Sequence, residues 1–197
     1  VCQKKWVDKM LKSNLIAKIS TLPDGNIIGR IGGNIPEFFL DKLDNIQGHK
    51  FYLTVQNPDD GHEYITILIP EGYDDMIDNN IYPNCSVKVF THTFSDESNN
   101  DTFTIKHINK ATIVGYDKVE SEEFDFITKT EEARLIQSED YYFDALQKDG
   151  YEFFMQIDED YYPDALLDGD YIFGYGALYL YKNISGGNII AGFWQYS

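Results

Sequence analysis

The side chains best equipped for chemistry in this chain are tyrosine, tryptophan, glutamine and aspartate, and they gather towards its C-terminal end. In Tyr171–Tyr181 the odd positions are Tyr171, Phe173, Tyr175, Ala177, Tyr179 and Tyr181. The even positions are Ile172, Gly174, Gly176, Leu178 and Leu180. Side chains alternate between the faces of a strand, so this spacing predicts one aromatic and one aliphatic face. A tyrosine offers a ring face and a hydroxyl, which suits both core packing and ligand contact. As a site, Tyr175 and Tyr179 would line a pocket between two halves of the molecule, with Gln156, Trp194 and Gln195 as polar points. As packing, the same pattern describes a central strand covered on both sides, with Gly174 and Gly176 admitting a neighbouring backbone.

The second group is acidic. Asp158, Asp160, Asp164 and Asp168 fall within one turn-rich stretch. They resemble a calcium loop only superficially, since an EF-hand needs Gly at its sixth position and Glu at its twelfth. Counted from Asp158, those positions hold Pro163 and Gly169. No HExxH sequence and no zinc-type Cys/His spacing occurs, and the four histidines are scattered. Cys85 and His92 are the one thiol–imidazole pair close in sequence, without the context of an oxyanion hole. No nucleophile elbow or P-loop is present. The expectation is therefore a protein without catalytic residues, metal or cofactor.

Charge narrows the partners. The formal net charge is −17, and residues 117–170 alone hold 18 Asp and Glu against four Lys and Arg. Phosphate is repelled by such a surface, which argues against nucleic acid and anionic membrane. A basic protein is drawn towards it. The leading functional expectation is a non-catalytic binding protein of the immunity or antitoxin kind, whose acidic residues engage a basic partner. A small-ligand binder or an enzyme using the tyrosine pocket is the alternative. The sequence contains no apolar run long enough to cross a membrane as a helix and no leader-like start, so a cytoplasmic protein is expected. Two cysteines make no disulfide framework. The oligomeric state is left open by the sequence.

These residues need elements to carry them. Trp6, Val7, Met10, Leu11, Asn14 and Leu15 recur at helical spacing, predicting an amphipathic helix. Pro23-Asp24-Gly25-Asn26 predicts a hairpin turn between apolar runs at Ile16–Leu22 and Ile27–Ile31. A helix-like stretch follows Pro36. Strands are expected at Phe51–Val55, Tyr64–Ile69, Val87–Thr91, Phe103–Ile108, Ala111–Val114, Phe153–Asp158, Tyr171–Tyr181 and Ile189–Tyr196. Arg134–Leu146 reads as mixed or helical.

The order repeats. Tyr52-Leu53-Thr54-Val55-Gln56-Asn57 aligns with Phe153-Phe154-Met155-Gln156-Ile157-Asp158, and a turn, a second strand and a third strand follow each. The expected fold is α+β, mainly antiparallel sheet, made by internal duplication of a small unit about a pseudo-two-fold axis. The division is 1–22 as N-terminal helix and lead-in, 23–116 as first half, 117–132 as acidic connector or surface helix, and 133–197 as second half. Together they make one compact domain.

Ile31-Gly32-Gly33 followed by Pro36, the strand Phe153–Asp158, the glycines at 169, 174 and 176, and the closing Phe193-Trp194-Gln195 carry a family likeness. In these features, over roughly residues 27–197, the chain resembles the YwqG-like family of bacterial proteins. Val55 stands where that family tends to have Gln, and Glu132-Ala133 stands where a second Gly-Gly would fall. The resemblance implies a duplicated α+β fold and no particular activity.

Overall fold

Runs of β-branched and aromatic residues separated by Gly, Asn and Asp build a sheet protein. The computed structural model describes residues 13–22 and 25–197. Among these residues there are ten strands: β1 (Ser13–Ser20), β2 (Gly29–Ile31), β3 (His49–Asn57), β4 (Asp60–Pro70), β5 (Lys88–His92), β6 (Ala111–Glu120), β7 (Ile127–Lys129), β8 (Tyr151–Asp158), β9 (Ala177–Asn183) and β10 (Ile189–Gln195). The two α-helices among the described residues are short, α1 (Tyr73–Asp78) and α2 (Asp144–Lys148). All pairings between strands are antiparallel, in the order β10-β9-β8-β7-β1-β6-β2-β3-β4-β5.

The sheet curls into a nearly closed barrel. An open edge is a row of unpaired backbone groups, and here the outer edge of β10 is covered. Ile81 bridges Phe193, Tyr82 N donates to Gly192 O at 2.7 Å, and Trp194 N donates to Asn80 O at 3.0 Å. Residues 80–82 lead on towards β5, so the two ends of the sheet meet through this segment.

Three apolar clusters follow from the alternation of side chains. The largest gathers Ile31, Leu53, Ile65, Ile67, Ile113, Ile157, Leu178, Leu180 and Trp194 from strands all round the sheet. A second packs Phe51 and Leu68 under the 3-10 turns at Glu37–Phe39 and Leu43–Ile46. A third packs Tyr179, Tyr181 and Phe193 under Tyr142 and Leu146 of the 140–148 segment.

The expected strands at 51–55, 64–69, 87–91, 111–114, 153–158 and 189–196 are present, with small changes of end. Other expectations are corrected. The N-terminal helix falls mostly on residues 1–12, outside the described residues, and Asn14 and Leu15 belong to β1. Ile16–Leu22 and Ile27–Ile31 do not form a hairpin, because β6 lies between β1 and β2. The acidic connector is no surface helix: it holds the end of β6 and all of β7. Phe103–Ile108 is not a strand, although Phe103, Ile105 and Ile108 are buried. The helix-like stretch after Pro36 is 3-10 turns. The predicted long strand at Tyr171–Tyr181 begins only at Ala177. From there its alternation holds, with Tyr179 and Tyr181 in the outer cluster and Leu178 and Leu180 in the large one.

β3 and β8 each carry a β-bulge. β3 pairs Phe51 with Leu68 and then Leu53 with Ile67, leaving Tyr52 as a bulge. β8 pairs Phe153 with Tyr181 and then Met155 with Leu180, leaving Phe154 as a bulge. Tyr52 and Phe154 are thus each the unpaired residue of a bulge within their own strand.

Candidate functional site

The polar residues singled out from the sequence mostly hold backbone. Gln156 is fully buried on β8. Its Oε1 accepts Arg134 N at 3.0 Å, and its Nε2 donates to Arg134 O and to Asp158 Oδ2, both at 3.1 Å. Tyr179 Oη donates to the same Arg134 carbonyl at 3.0 Å. Gln195 Oε1 accepts Ile136 N at 2.9 Å and Gln137 N at 3.1 Å, and its Nε2 donates to Gln137 O at 2.8 Å. The structure thus brings Gln156, Asp158, Tyr179 and Gln195 together as a clamp on residues 134–137. Buried amides must find partners, and here the partners are an irregular segment that has no sheet of its own.

Trp194 is separated from them. It is fully buried in the large cluster, and its Nε1 donates to Met76 O at 3.1 Å. The pocket expected from Gln156, Tyr175, Tyr179 and Trp194 is therefore not formed, because Gln156 and Tyr179 clamp one segment while Trp194 packs in a different cluster. Of the four, only Tyr175 reaches open space. Asp158 is buried, with its Oδ1 accepting Asp160 N at 3.1 Å, and burial raises its pKa. Asp160, Asp164 and Asp168 are exposed.

Tyr175 opens onto a cleft of about 650 Å³. Its walls come from the end of β4 (Ile69, Pro70) and the following Glu71, α1 (Tyr73, Met76), residues 104–107 and the loop 170–175. Three tyrosines face it: Tyr73, Tyr171 and Tyr175. Tyr171 and Tyr175 stack with ring centroids 3.9 Å apart. Tyr175 is 58% exposed and holds φ +61°. A bulky residue in the left-handed region costs energy, and such strain concentrates where a surface is shaped for a task. Lys50 is tied down by Glu71 at 3.2 Å and Thr102 O at 2.6 Å. Lys106, His107 and Asp170 complete the polar lining.

The loop is positioned by a buried carboxylate. Glu159 is 1% exposed. Its Oε2 accepts Phe173 N at 3.0 Å and Gly176 N at 3.1 Å, and its Oε1 accepts the Tyr162 hydroxyl at 3.2 Å. Tyr52 Oη lies 2.5 Å from Tyr162 Oη, so a chain of hydroxyls runs from the bulge of β3 to the carboxylate. Burial pushes the Glu159 pKa up to about 7, against the pull of the backbone N–H groups of Phe173, Gly176 and Ile172 and of the phenol. Burial likewise raises Tyr52 and Tyr162 well above the usual phenol range. Gly174 adopts φ +62°, and a Cβ there would stand 2.8 Å from Tyr73 Oη across the cleft. A Cβ at Gly176 would stand 1.9 Å from Gln195 O. The close backbone approach expected at these glycines is real, but it belongs to a loop.

Sequence reasoning missed Glu159, Tyr162, Tyr52 and Tyr73. Glu159 lies inside Asp158-Glu159-Asp160, which reads as solvated turn, and nothing local marks its middle residue as buried. The Cys85–His92 pair does not form a thiolate couple. His92 bonds Thr66 Oγ1 at 2.7 Å and Thr93 O at 2.6 Å, and burial pushes the Cys85 thiol up to about 12. Among the described residues no three His, Cys, Asp or Glu side chains come together as metal ligands. Nor is any helix among them long and apolar enough to cross a membrane.

The Ile31-Gly32-Gly33 element has a structural task. Arg30 is buried, donates to Gly32 O at 2.7 Å and to Asn34 O, and lies over the Phe51 ring at 4.3 Å. Burial lowers its pKa to about 10, with Glu97 at 3.8 Å opposing the shift. No protein-family model, curated protein or solved structure matches the chain.

Proposed function

We propose that this is a non-catalytic binding protein that docks a basic protein partner over the tyrosine cleft. The observation that carries the reading is the Tyr171–Tyr175 stack on the cleft wall, in which Tyr175 is exposed and strained and Tyr171 is half-buried. Such a platform accepts the planar or cationic end of an incoming side chain, because a ring face attracts positive charge. The acidic stretch leads straight into it. Asp168 N donates to His107 O at 2.7 Å, which sets Asp168 beside the cleft, and Asp170 lines it. Asp160 and Asp164 lie on the same segment and supply the long-range attraction that a net charge of −17 provides. On this reading the working residues are Tyr175, Asp160, Asp164 and Asp168, while Gln156, Asp158, Tyr179, Trp194 and Gln195 support the fold.

The experiment is affinity capture from source-cell lysate at low and high salt, with wild type, Tyr175→Ala and a combined Asp160→Asn, Asp164→Asn, Asp168→Asn variant. A basic protein held by wild type, released by salt and lost in both variants supports docking here. Equal capture by Tyr175→Ala rules the cleft out. The second reading is a small-molecule site, favoured by the cleft volume, which lies in the usual range for such sites. A ligand that raises the melting temperature of wild type and not of Tyr175→Ala would favour it.

The structural proposal that accompanies this function is duplication, with the resemblance to the YwqG-like family. Strand order reads β1-β7-β8-β9-β10 outward in one direction and β6-β2-β3-β4-β5 in the other. Gly48 and Gly150 both have left-handed φ, +73° and +76°, each four residues ahead of the bulges at Tyr52 and Phe154. The halves that match in this way are β1–β5 and β6–β10, each lending its first strand to the other side of the barrel.

A further inference from the structure

We infer that Glu159 is a proton-linked positioning residue for the tyrosine wall: uncharged, it lets the loop 171–176 stay closed, and its ionisation favours opening. The inference rests on the reading of the cleft as a binding site and concerns how that site is regulated. The loop that carries the Tyr171–Tyr175 platform is fastened to the fold on either side of Gly174 and Tyr175. Phe173 N and Gly176 N both donate to Glu159 Oε2, and Glu159 N donates to Gly176 O at 2.9 Å. Displacing residues 173–176, which carry Tyr175, must therefore break bonds to this one residue.

The groups that face Glu159 come from each element packed around it. Its own turn supplies the Tyr162 hydroxyl, and β3 supplies Tyr52 behind it. Tyr73 of α1 lies within electrostatic reach. From β10 comes Trp194, packed on Phe173 with ring centroids 5.6 Å apart. None of these is cationic, and among the described residues no Lys, Arg or His pairs with Glu159. A charge in this position has lost its water and gained only neutral dipoles. Opening the loop returns water to the carboxylate, so the ionised form gains from opening and the protonated form does not. The consistent shift, to about 7 from the ordinary glutamate value, sets the switching range near neutral pH.

Amide hydrogen exchange of Phe173 and Gly176 in free protein tests this without any ligand. After correction for intrinsic exchange, the opening constant of both amides is expected to rise about 50-fold between about pH 5 and about pH 8. In Glu159→Gln it should be flat. An opening constant independent of pH in wild type, or the same rise in Glu159→Gln, overturns the proposal. Should the variant not fold, carbon-13 labelling of glutamate in wild type still decides, because a Glu159 carboxyl midpoint in the ordinary glutamate range overturns it equally. Failure of every partner or ligand screen would sink the docking proposal and leave these two measurements unchanged.

Discussion

Glu159 and Gly176 are joined reciprocally: Glu159 N donates to Gly176 O at 2.9 Å, and Gly176 N returns a bond to Glu159 Oε2 at 3.1 Å. The exit of β8 and the entry to β9 are thereby locked together at the level of the cleft. The loop between them can hold an exposed Tyr175 stacked on a half-buried Tyr171 because residues 173 and 176 are fixed by a side chain beneath them. Fold and candidate site meet at this one carboxylate.

Its charge also enters the stability of the whole protein. A carboxylate whose folded pKa is raised contributes fully below its unfolded value and loses that contribution as pH rises to the folded one. For Glu159 the window runs from the ordinary glutamate range up to about 7, and its span corresponds to about 3 kcal/mol. Asp158, also raised by burial, acts with the same sign. Glu97 acts oppositely. Against the cost of partial burial, Lys110, Asn34 N–H and Arg30 hold its pKa down, so its contribution is lost as pH falls. Glu159→Gln separates these effects, since its amide oxygen can accept the two N–H groups while its NH₂ donates to Tyr162. In urea titrations the variant is expected to match wild type near pH 5 and to exceed it near pH 8, where about 2–3 kcal/mol should separate them. Equal stabilities at pH 8 would contradict a buried charge.

Arg30 is expected to be indispensable for a different reason. Removing it as Arg30→Met leaves the carbonyls of Gly32 and Asn34 without its donors, and takes away one of the two cations beside Glu97, which keeps Lys110. Unpaired buried acceptors cost about 1–3 kcal/mol each, which for the two carbonyls comes to about 3 kcal/mol or more. Chemical denaturation of Arg30→Met should show a loss of this size, with Arg30→Lys intermediate because a point charge cannot span both carbonyls. A loss under about 1 kcal/mol would mean that the 32–36 loop is held by something else.

Two glycines separate steric need from conformational need. Gly176→Ala drives a Cβ into Gln195 O, a rigid backbone atom 1.9 Å away, and Phe173 O at 2.5 Å. Gly48→Ala meets nothing within 4 Å and pays only for its φ of +73°. Gly48→Ala is expected to cost about 1 kcal/mol. Gly176→Ala should cost at least about 3 kcal/mol or abolish folding. Similar melting temperatures for the two would show that the β9 entry is looser than its geometry states.

How far these features could be read in advance varies with how local they are. Tyr179 and Tyr181 against Leu178 and Leu180 were legible, because period-two alternation is a property of the strand itself. The same alternation misled across Tyr171–Gly176, where positive φ at Gly174 and Tyr175 and the grip of Glu159 break the strand. The β1–β2 hairpin failed because a turn sequence reports only its own bend, while β6, inserted between them, arrives from residues 111–120. The bulges at Tyr52 and Phe154 were not foreseen, because a bulge leaves no mark in composition. The candidate site was the least legible. Gln156 and Gln195 look like ligand-binding amides, and only three dimensions show that their ligand is the chain's own 134–137 backbone.

Tyr175 distinguishes a surface shaped for binding from one that merely packs. A buried aromatic truncated to a small residue costs about 3–5 kcal/mol. Tyr175 is 58% exposed and strained, so Tyr175→Gly relieves about 1 kcal/mol of left-handed cost while giving up about as much in stacking on Tyr171. The variant is expected to fold with a stability within about 1 kcal/mol of wild type. Capture of a basic partner at low salt should nevertheless fall at least tenfold. Unchanged stability with lost capture is the signature of a residue kept for contact. A loss of several kcal/mol would instead assign Tyr175 to the fold, and the docking reading would lose the side chain it depends on.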